Sequence, residues 1–392
     1  MTEYKYLIVG GGMTAGAAID GIRSVDKEGG IALITAEADG PYDRPPLTKG
    51  LWKGDKGVAD IRHEIPAGVE LFTERQVKSL DLAKKQVIDA EERIYRYDKL
   101  LLATGGRPNQ LSFDEENMII YYRTLHDYQQ LHKLAEQYAK FAVIGGSFIG
   151  SELAAALRLN GKSVTMLFPE DAICARLFPQ EAAGFLNRYY ESKGVNVLPN
   201  TKVREIQGSQ GGYRLLTEQG AEIEAEIVVA GIGIHPNTQL AEAAGLRVDD
   251  GIVVNSALQT SAPDIFAAGD VARFADKLLG EWRRVEHEDN AISMGKAAGR
   301  SMAGEKISYD HSPMFYSDLF DLGYEAVGEL NAKLNTFIDW QEEYEKGVIY
   351  YLKGKKVRGV LLWNVWDQVA AARKLIAEGN EWRTEDLVGQ IG

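Results

Sequence analysis

Two glycine-rich turns constrain the fold of this chain more than any other feature of its sequence. The first lies in YLIVGGGMTAGAAIDGI at 6–22, and the second lies in FAVIGGSFIGSELAAALRL at 141–159. In each, a short apolar run enters the turn and a run of small residues leaves it. This pattern is typical of a strand that passes through a tight turn into a helix of a parallel α/β sheet. Two such openings predict an α/β protein with two separate parallel sheets.

The first turn has the residue types of a dinucleotide-binding site. Gly10 allows the tight turn, Gly12 lets the backbone approach a pyrophosphate, and Ala15 allows the helix to pack closely on the strand. The helix N-terminus supplies free N–H groups and the positive end of a dipole. Glu37 follows Gly16 by 21 positions, about where an acid meets a ribose hydroxyl. A purely structural turn is the alternative, and Glu37 favours the dinucleotide.

The second turn repeats this pattern with one change. Gly145, Ser147 and Gly150 occupy the three fingerprint positions, and Glu170 lies 20 positions after Gly150. Serine replaces the middle glycine, but it is still small enough for a phosphate to approach the backbone. The alternative is a βαβ unit that binds no ligand.

The spacing of the two turns predicts the domain organisation. The second turn lies 135 positions after the first, which suits two domains rather than two halves of one sheet. We expect two three-layer, Rossmann-like domains, one formed by 1–110 with 245–311 and one by 111–244, and a C-terminal α+β domain at 312–392. Two dinucleotides in one protein suggest a flavin and a nicotinamide, because nicotinamide delivers a hydride that flavin can divide into single electrons.

Composition and charge narrow the functions open to the chain. A net charge of −13 argues against a nucleic-acid partner. No apolar run approaches the ~18 residues of a membrane span, and a strand pattern begins so near Met1 that we expect no signal peptide and a cytoplasmic protein. The six histidines are scattered, so we expect no metal site. The one cysteine, Cys174, excludes an internal disulfide and is expected to be a packed thiol.

A loop with two prolines carries two cations. Residues 41–50 read PYDRPPLTKG. Pro45 and Pro46 are expected to block a helix and to fix a rigid, extended turn. Such a turn would hold Arg44 and Lys49 at the end of a strand, where a ligand of an α/β sheet lies.

Later stretches complete the first domain. YDKLLLATGGRP places Ala103 and Thr104 after a buried strand, and TSAPDIFAAGDVARF places Asp270 at the end of another. Asp270 either caps a helix or accepts a hydrogen bond from a ligand hydroxyl. Glu286 and His287 enter a helix of small residues whose positive N-terminus suits an anionic part of a flavin. An ordinary packing role is the alternative for His287.

These stretches, in this order, resemble those of a known protein family. The glycine fingerprint, ATGG, GGSFIGSE and FAAGD resemble the reductases that use a flavin and a pyridine nucleotide. Members with disulfide chemistry have cysteine in the loop that here reads PYDRPPLTKG. The RPPLTK form is similar instead to ferredoxin and rubredoxin reductases and to apoptosis-inducing factor. RPPLTKGLW, LFPE and MFYSDLFDLGYEAVG are similar to the last of these.

The resemblance implies the residues of the site. Lys49 and Glu152 would form a charged catalytic pair at the reactive edge of FAD, and Phe148 would shield the flavin ring. The residues implied for FAD are Gly11, Gly12, Ala15, Glu37, Arg44, Lys49, Val77, Ala103, Thr104, Asp270, His287 and Tyr316, the last in place of a tryptophan in apoptosis-inducing factor. The residues implied for the nicotinamide nucleotide are Gly146, Ser147, Phe148, Ile149, Glu170, Arg176, Gly233, Glu286 and Glu325.

The resemblance also implies a function with alternatives. NADH would reduce FAD, and FAD would pass electrons to a ferredoxin or rubredoxin. An acid at the ribose favours NADH over NADPH, although Arg176 could serve a phosphate. The alternatives are an NADH-sensing flavoprotein that resembles apoptosis-inducing factor, with a possible homodimer, and an NADH oxidase that uses oxygen or quinones. A basic hairpin at 353–358 is either a solvated turn or a docking patch for an acidic iron–sulfur protein.

Overall fold

A computed structural model describes residues 2–392, and their contacts divide the chain into two compact units. The first unit comprises the described residues up to Arg44 together with Val58–Arg107 and His235–Met314. The second comprises Pro45–Gly57, Pro108–Ile234 and Phe315–Gly392. The loop that carries Lys49 thus groups with the second unit. The three-domain division expected from the sequence stays a prediction.

A seven-stranded sheet forms the centre of the first unit. Five of its strands run parallel, in the order Val69–Phe72, Ile31–Ile34, Thr2–Val9, Ile94–Leu102 and Ile265–Ala267. The strands Gln86–Asp89 and Val77–Asp81 extend the sheet as an antiparallel hairpin. All four residues of Ile31–Ile34 are buried. A continuous apolar run of this kind is expected for a parallel strand that is covered on both faces.

Two helices of small residues pack closely beside this sheet. They are Met13–Val25 and Glu288–Met302. A Cβ added at Gly21 would lie 2.2 Å from the carbonyl oxygen of Lys296, and one added at Gly299 would lie 2.1 Å from that of Ala18. Glycine at these positions therefore allows the helix backbones to approach more closely than any side chain would permit.

The remaining strands, helix and turns of the first unit are short. A three-stranded sheet is formed by Ile252–Val253, Ala272–Asp276 and Glu281–Arg284. The helix Gln239–Ala243 and the 3₁₀ turns Val58–Ile61 and Gly269–Val271 complete it. Within the described residues, the chain passes from one unit to the other at five points, and two of these lie within the short strands Gly106–Pro108 and Ile234–Pro236.

The second unit contains a five-stranded parallel sheet. Its strands lie in the order Asn196–Leu198, Ser163–Leu167, Lys140–Ile144, Ile227–Ala230 and Ile120–Tyr121. Its helices are Leu125–Gln137, Phe148–Leu159 and Gln180–Ser192. Thr124 and Asp127 form a capping box at the start of the first of these helices, which satisfies backbone N–H groups at its N-terminus.

Two further sheets complete the second unit. Val203–Ser209, Gly212–Thr217 and Glu222–Ala225 form an antiparallel meander. The C-terminal sheet has the order Met314–Leu319, Leu322–Gly328, Lys356–Trp363, Lys346–Lys353 and Asn335–Glu342. The helix Val369–Glu378 and the 3₁₀ turn Thr384–Leu387 follow. Lys353 pairs with Lys356, which confirms the predicted hairpin. Two parallel α/β sheets and a C-terminal antiparallel sheet with a helix confirm the predicted fold class.

The proline loop differs from the expectation. Pro45–Thr48 is a 3₁₀ helix, and Gly50–Lys53 is a single α-helical turn. The predicted extended turn was therefore wrong for these residues. The reason is that proline fits the first turn of a helix, where its missing N–H has no intrahelical partner to lose.

Within residues 2–392, no helix is both long and apolar enough to cross a membrane.

Candidate functional site

The turn at Gly10 requires glycine for two reasons. Its φ of 115° lies in the region that side chains avoid, and an added Cβ would lie 2.0 Å from the carbonyl oxygen of Ala103. Ala103 follows the strand Ile94–Leu102 and donates its N–H to Val9 at 2.8 Å. Gly11 is also tightly enclosed, since a Cβ there would lie 2.4 Å from the hydroxyl of Thr35. These contacts fix the shape of the turn itself.

Gly12 leaves the turn open to a ligand. It is the N-cap of Met13–Val25 and has ordinary backbone angles, with φ −86°. An added Cβ would have only the guanidinium of Arg44 nearby, at 3.8 Å. The N-terminal N–H groups of a helix and a facing guanidinium are the groups that bind a pyrophosphate. A dinucleotide phosphate fits this position, where the predicted residues Gly12 and Arg44 come together.

Glu37 lies in the same part of the first unit. Its carboxylate accepts hydrogen bonds from the hydroxyl of Tyr42 at 2.6 Å and from the guanidinium of Arg44. The backbone carbonyl of Glu37 accepts the N–H of Glu74 at 3.0 Å, three positions before Val77. The structure thus brings the predicted residues Glu37 and Arg44 into contact and places the segment before Val77 beside them. Their roles toward FAD stay predictions.

Asp270 and His287 also lie in the first unit. Asp270 belongs to the first turn of Gly269–Val271, where Ala268 occupies the N-cap position, and its role toward a ligand hydroxyl stays a prediction. His287 is the N-cap of Glu288–Met302. Burial lowers the pKa of His287 to about 4, although the charge of Asp270 opposes the shift. The imidazole is therefore neutral at pH 7. The hydroxyl of Thr104 donates to the carbonyl of Asn237 at 2.8 Å, and the predicted role of Thr104 toward FAD stays a prediction.

The second turn is built like the first. A Cβ at Gly145 would lie 2.3 Å from the carbonyl oxygen of Gly231, and one at Gly150 would lie 2.1 Å from that of Gly145. Gly146 packs against the ring of Phe168, which would lie 2.5 Å from an added Cβ. Ser147 is the N-cap of Phe148–Leu159, and among the described residues its hydroxyl makes no capping bond. The helix N-terminus is thus available for a second phosphate.

Several of the residues predicted for the nicotinamide nucleotide lie at one end of the parallel sheet of the second unit. Phe148 packs edge-to-face on Phe315, with ring centroids 5.5 Å apart, and Ile149 is 36% exposed. The carboxylate of Glu170 pairs with the guanidinium of Arg176 at 2.7 Å. Phe148 and Ile149 begin the helix that Ser147 caps, and Glu170 follows the next strand of the same sheet. These positions suit one nucleotide at the end of a parallel sheet.

Three further predicted residues are Gly233 and Glu325 of the second unit and Glu286 of the first. Gly233 accepts the N–H of Asn109 at 3.0 Å. Glu325 lies on Leu322–Gly328, burial raises its pKa, and its Oε2 has no hydrogen-bond partner within residues 2–392. Glu286 belongs to the first unit and pairs with Arg284. Their shared role in a nicotinamide site stays a prediction.

The second unit buries a lysine–glutamate pair. The Nζ of Lys49 lies 2.7 Å from Oε2 of Glu152, and their side chains are 12% and 4% exposed. The ammonium also lies over the ring of Tyr316, 5.4 Å from its centroid. A buried pair of this kind is stable only when each charge compensates the desolvation of the other. The structure brings together Lys49, Glu152 and Tyr316 from three separate stretches of the chain.

Three hydroxyl groups at these sites were not among the residues predicted from the sequence. Thr48 and Ser317 donate to the two oxygens of Glu152 at 2.5 Å and 2.6 Å, and Tyr42 donates to Glu37. Thr48 precedes Lys49, and Ser317 follows Tyr316, so proximity to predicted residues was the available signal. Serine and threonine are too common for that signal to single them out.

Cys174 lies in an environment that does not favour a reactive thiol. Its side chain is buried, and burial raises the pKa of the thiol to about 12. The thiolate, which is the nucleophilic form, is therefore scarce at neutral pH. The sequence-based interpretation of a packed thiol agrees with this environment. Among residues 2–392, no cluster of three His, Cys, Asp or Glu side chains is arranged to hold a metal.

Known proteins are similar to this chain in sequence. A family model described as pyridine nucleotide-disulphide oxidoreductase matches residues 4–295, and the model of the C-terminal part of mitochondrion-associated apoptosis-inducing factor matches 298–341 and 338–378. Apoptosis-inducing factor 1, mitochondrial, of Dictyostelium discoideum is 36% identical over 95% of this chain and 78% of its own length. Monodehydroascorbate reductase 3 of Arabidopsis thaliana is 34% identical over 92% and 89%.

The fold also matches a solved reductase. The similar chain comes from the crystal structure of the covalent putidaredoxin reductase–putidaredoxin complex. Its TM-score is 0.91 at 30% identity, and the match covers 98% of this chain and 95% of the other.

Proposed function

The chain belongs to the pyridine nucleotide-disulphide oxidoreductase family, and on that premise we propose that it passes electrons from NADH through FAD to a ferredoxin- or rubredoxin-type protein. It is an oxidoreductase whose cofactors are FAD and a nicotinamide nucleotide. When bound, FAD would supply the chemistry that links a two-electron hydride donor to a one-electron acceptor. We also propose a cytoplasmic location.

The buried pair of Lys49 and Glu152 is the observation that carries this proposal. The loop before it contains no cysteine, and Cys174 is buried with a raised pKa. Disulfide chemistry therefore has no thiol to use. A fixed ammonium instead favours an electron-rich ligand beside it, because a preorganised charge in a dry site needs little reorganisation. Electrons then have to leave by way of an external acceptor.

A protein acceptor is supported by the solved relative, which is a covalent complex of a reductase with putidaredoxin. On this chain, Lys353, Lys355 and Lys356 are exposed at the hairpin of the C-terminal sheet. This hairpin is a candidate docking position for an acidic protein despite the net charge of −13.

Anaerobic stopped-flow reduction by NADH, followed by mixing with oxidised ferredoxin or rubredoxin, tests the proposal. We expect fast flavin reduction, followed by reoxidation in step with reduction of the iron protein. The controls replace the iron protein with dissolved oxygen, with a quinone or with monodehydroascorbate. Reoxidation by oxygen, quinone or monodehydroascorbate that outpaces reoxidation by both iron proteins would contradict a protein acceptor.

The nicotinamide preference is predicted from Glu170. The carboxylate of Glu170 is 26% exposed and pairs with the guanidinium of Arg176. A 2′-phosphate bound there would be repelled by the carboxylate, and Arg176 would be paired with Glu170 rather than with the phosphate. Glu170→Lys is expected to shift the ratio of kcat/KM for NADPH over NADH upward by about tenfold or more.

Glu218→Lys is the matched control, since Glu218 also forms an exposed ion pair in the second unit, with Lys202. It is expected to leave the ratio unchanged. An unaltered ratio in Glu170→Lys removes Glu170 from the ribose site.

The match to the C-terminal part of apoptosis-inducing factor favours a second function. In it, NADH reduces the flavin slowly, and the reduced protein keeps NAD bound and changes its oligomeric state. A persistent long-wavelength absorption band, resistance to oxygen and an NADH-dependent shift to a dimer on a sizing column are the expected signs. A column profile that NADH leaves unchanged argues against this function.

A further inference from the structure

The carboxylate of Glu152 accepts hydrogen bonds from two hydroxyl groups in addition to its ion pair with Lys49. Oε2 lies 2.7 Å from Nζ of Lys49 and accepts the hydroxyl of Thr48 at 2.5 Å. Oε1 accepts the hydroxyl of Ser317 at 2.6 Å. Thr48 and Ser317 are 5% and 0% exposed, so water does not compete at these contacts. Both oxygens of one buried carboxylate are thus fixed by neutral donors in addition to the ammonium.

The two hydroxyls come from the segments that carry the predicted flavin residues. Thr48 ends the 3₁₀ helix Pro45–Thr48 and directly precedes Lys49. Ser317 lies on Met314–Leu319 and directly follows Tyr316. Glu152 lies on the helix Phe148–Leu159. A single carboxylate therefore ties a loop, a strand and a helix of the second unit together at the point where Lys49 and Tyr316 meet.

The hydroxyls of Thr48 and Ser317 also affect whether the ammonium of Lys49 keeps N–H groups that can bind a ligand. Hydrogen bonds to an ionised group are stronger than neutral ones, and a buried carboxylate deprived of donors depends more on its remaining partner. Without the hydroxyls, the ammonium of Lys49 would be drawn onto Glu152 to compensate its charge. With them, the carboxylate is satisfied at several points and the ammonium retains N–H groups for a ligand.

We propose that Thr48 and Ser317 are positioning residues, which orient Glu152 so that the ammonium of Lys49 is directed toward the flavin. The proposal rests on the proposed function, because it needs Lys49 to act at the flavin. A purely structural role is the competing explanation: the hydroxyls would then stabilise the loop without changing the electronic state of the flavin.

The flavin midpoint potential separates the two explanations, and Thr48 offers a matched pair of variants. Thr48→Val removes the hydroxyl at nearly constant volume, whereas Thr48→Ser keeps the hydroxyl and removes the methyl group. We expect Thr48→Val to change the ratio of reduced to oxidised flavin at a fixed ambient potential about tenfold toward the oxidised form, a shift of about 30 mV for a two-electron couple. We expect Thr48→Ser to restore the parent potential.

Ser317→Ala is the independent second variant, and the same negative shift is expected. A readout without cofactor accompanies both. In the apoprotein, acetylation of Lys49, followed by mass spectrometry, is expected to be several-fold slower in Thr48→Val, because the ammonium is then drawn onto Glu152 and its free amine forms less often. Lys53, which pairs with Asp318 at the surface, is the internal reference for reagent access.

The outcomes distinguish this proposal from the function on which it rests. Parent potentials in both Thr48→Val and Ser317→Ala overturn the positioning role if Lys49→Ala shifts the potential. A parent potential in Lys49→Ala as well removes the pair from the flavin and overturns both. A shift in Thr48→Val that Thr48→Ser reproduces traces the effect to packing and overturns the positioning role.

Discussion

Replacing Gly10 by alanine is expected to destabilise the first unit and to abolish stable FAD binding. The new Cβ would lie 2.0 Å from the carbonyl oxygen of Ala103, and the φ of 115° would be strained for any side chain. A forced backbone shift together with this strain is expected to lower the free energy of unfolding by at least about 3 kcal/mol. Thermal unfolding of the apoprotein measures the effect.

Gly12→Ala is the matched control, because it lies two positions away and differs in what surrounds it. An added Cβ would have only Arg44 nearby, at 3.8 Å, and the backbone angles are ordinary. The apoprotein should therefore keep its stability to within about 1 kcal/mol, while FAD affinity falls because the methyl group stands at the phosphate position. Equal loss of stability in the two variants would show that Gly12 is enclosed as tightly as Gly10.

Replacing Lys49 by alanine is expected to slow flavin reduction by NADH about 100-fold, the size of effect seen when one preorganised charged or hydrogen-bonding donor is removed. Most of the FAD should remain bound, because Gly12 and Arg44, the residues expected to bind its phosphate, are unchanged in this variant. Rapid-mixing absorbance measures the rate, and the bound flavin is quantified after denaturation.

Lys53→Ala provides the control for the loss of a positive charge. Lys53 lies one helical turn from Lys49, and its pair with Asp318 is 3.4 Å long and more than a third exposed. A surface pair of this kind contributes about 0–1 kcal/mol, so rate and stability should stay near the parent values. Because Lys49→Ala leaves a buried carboxylate with fewer partners, Lys49→Ala/Glu152→Gln keeps the comparison valid if the single variant folds poorly. Parent-like reduction in both Lys49 variants would make Lys49 only structural.

How well each feature of this protein could be predicted depends on how far apart in the sequence the interacting residues lie. The glycine turns, the strands that enter them and the hairpin at Lys353 were read from short segments, because backbone angle and apolar alternation are local properties. The loop at Pro45 was predicted as extended and is a 3₁₀ helix, because local rules allow proline in either setting. Glu152 and Ser317 lie 165 positions apart, and no periodicity relates residues at that separation.

The sequence by itself determined the family and the two dinucleotide folds, because each depends on residue identity at fixed short spacings, and its single cysteine excluded an internal disulfide. Tertiary structure alone decided which polar groups meet. Packing placed Arg44 opposite Gly12, buried Cys174 and surrounded the carboxylate of Glu152 with Lys49 and two hydroxyls. The physical reason is that burial and hydrogen-bond partners depend on the arrangement of distant segments, and that arrangement sets the charge available at the site.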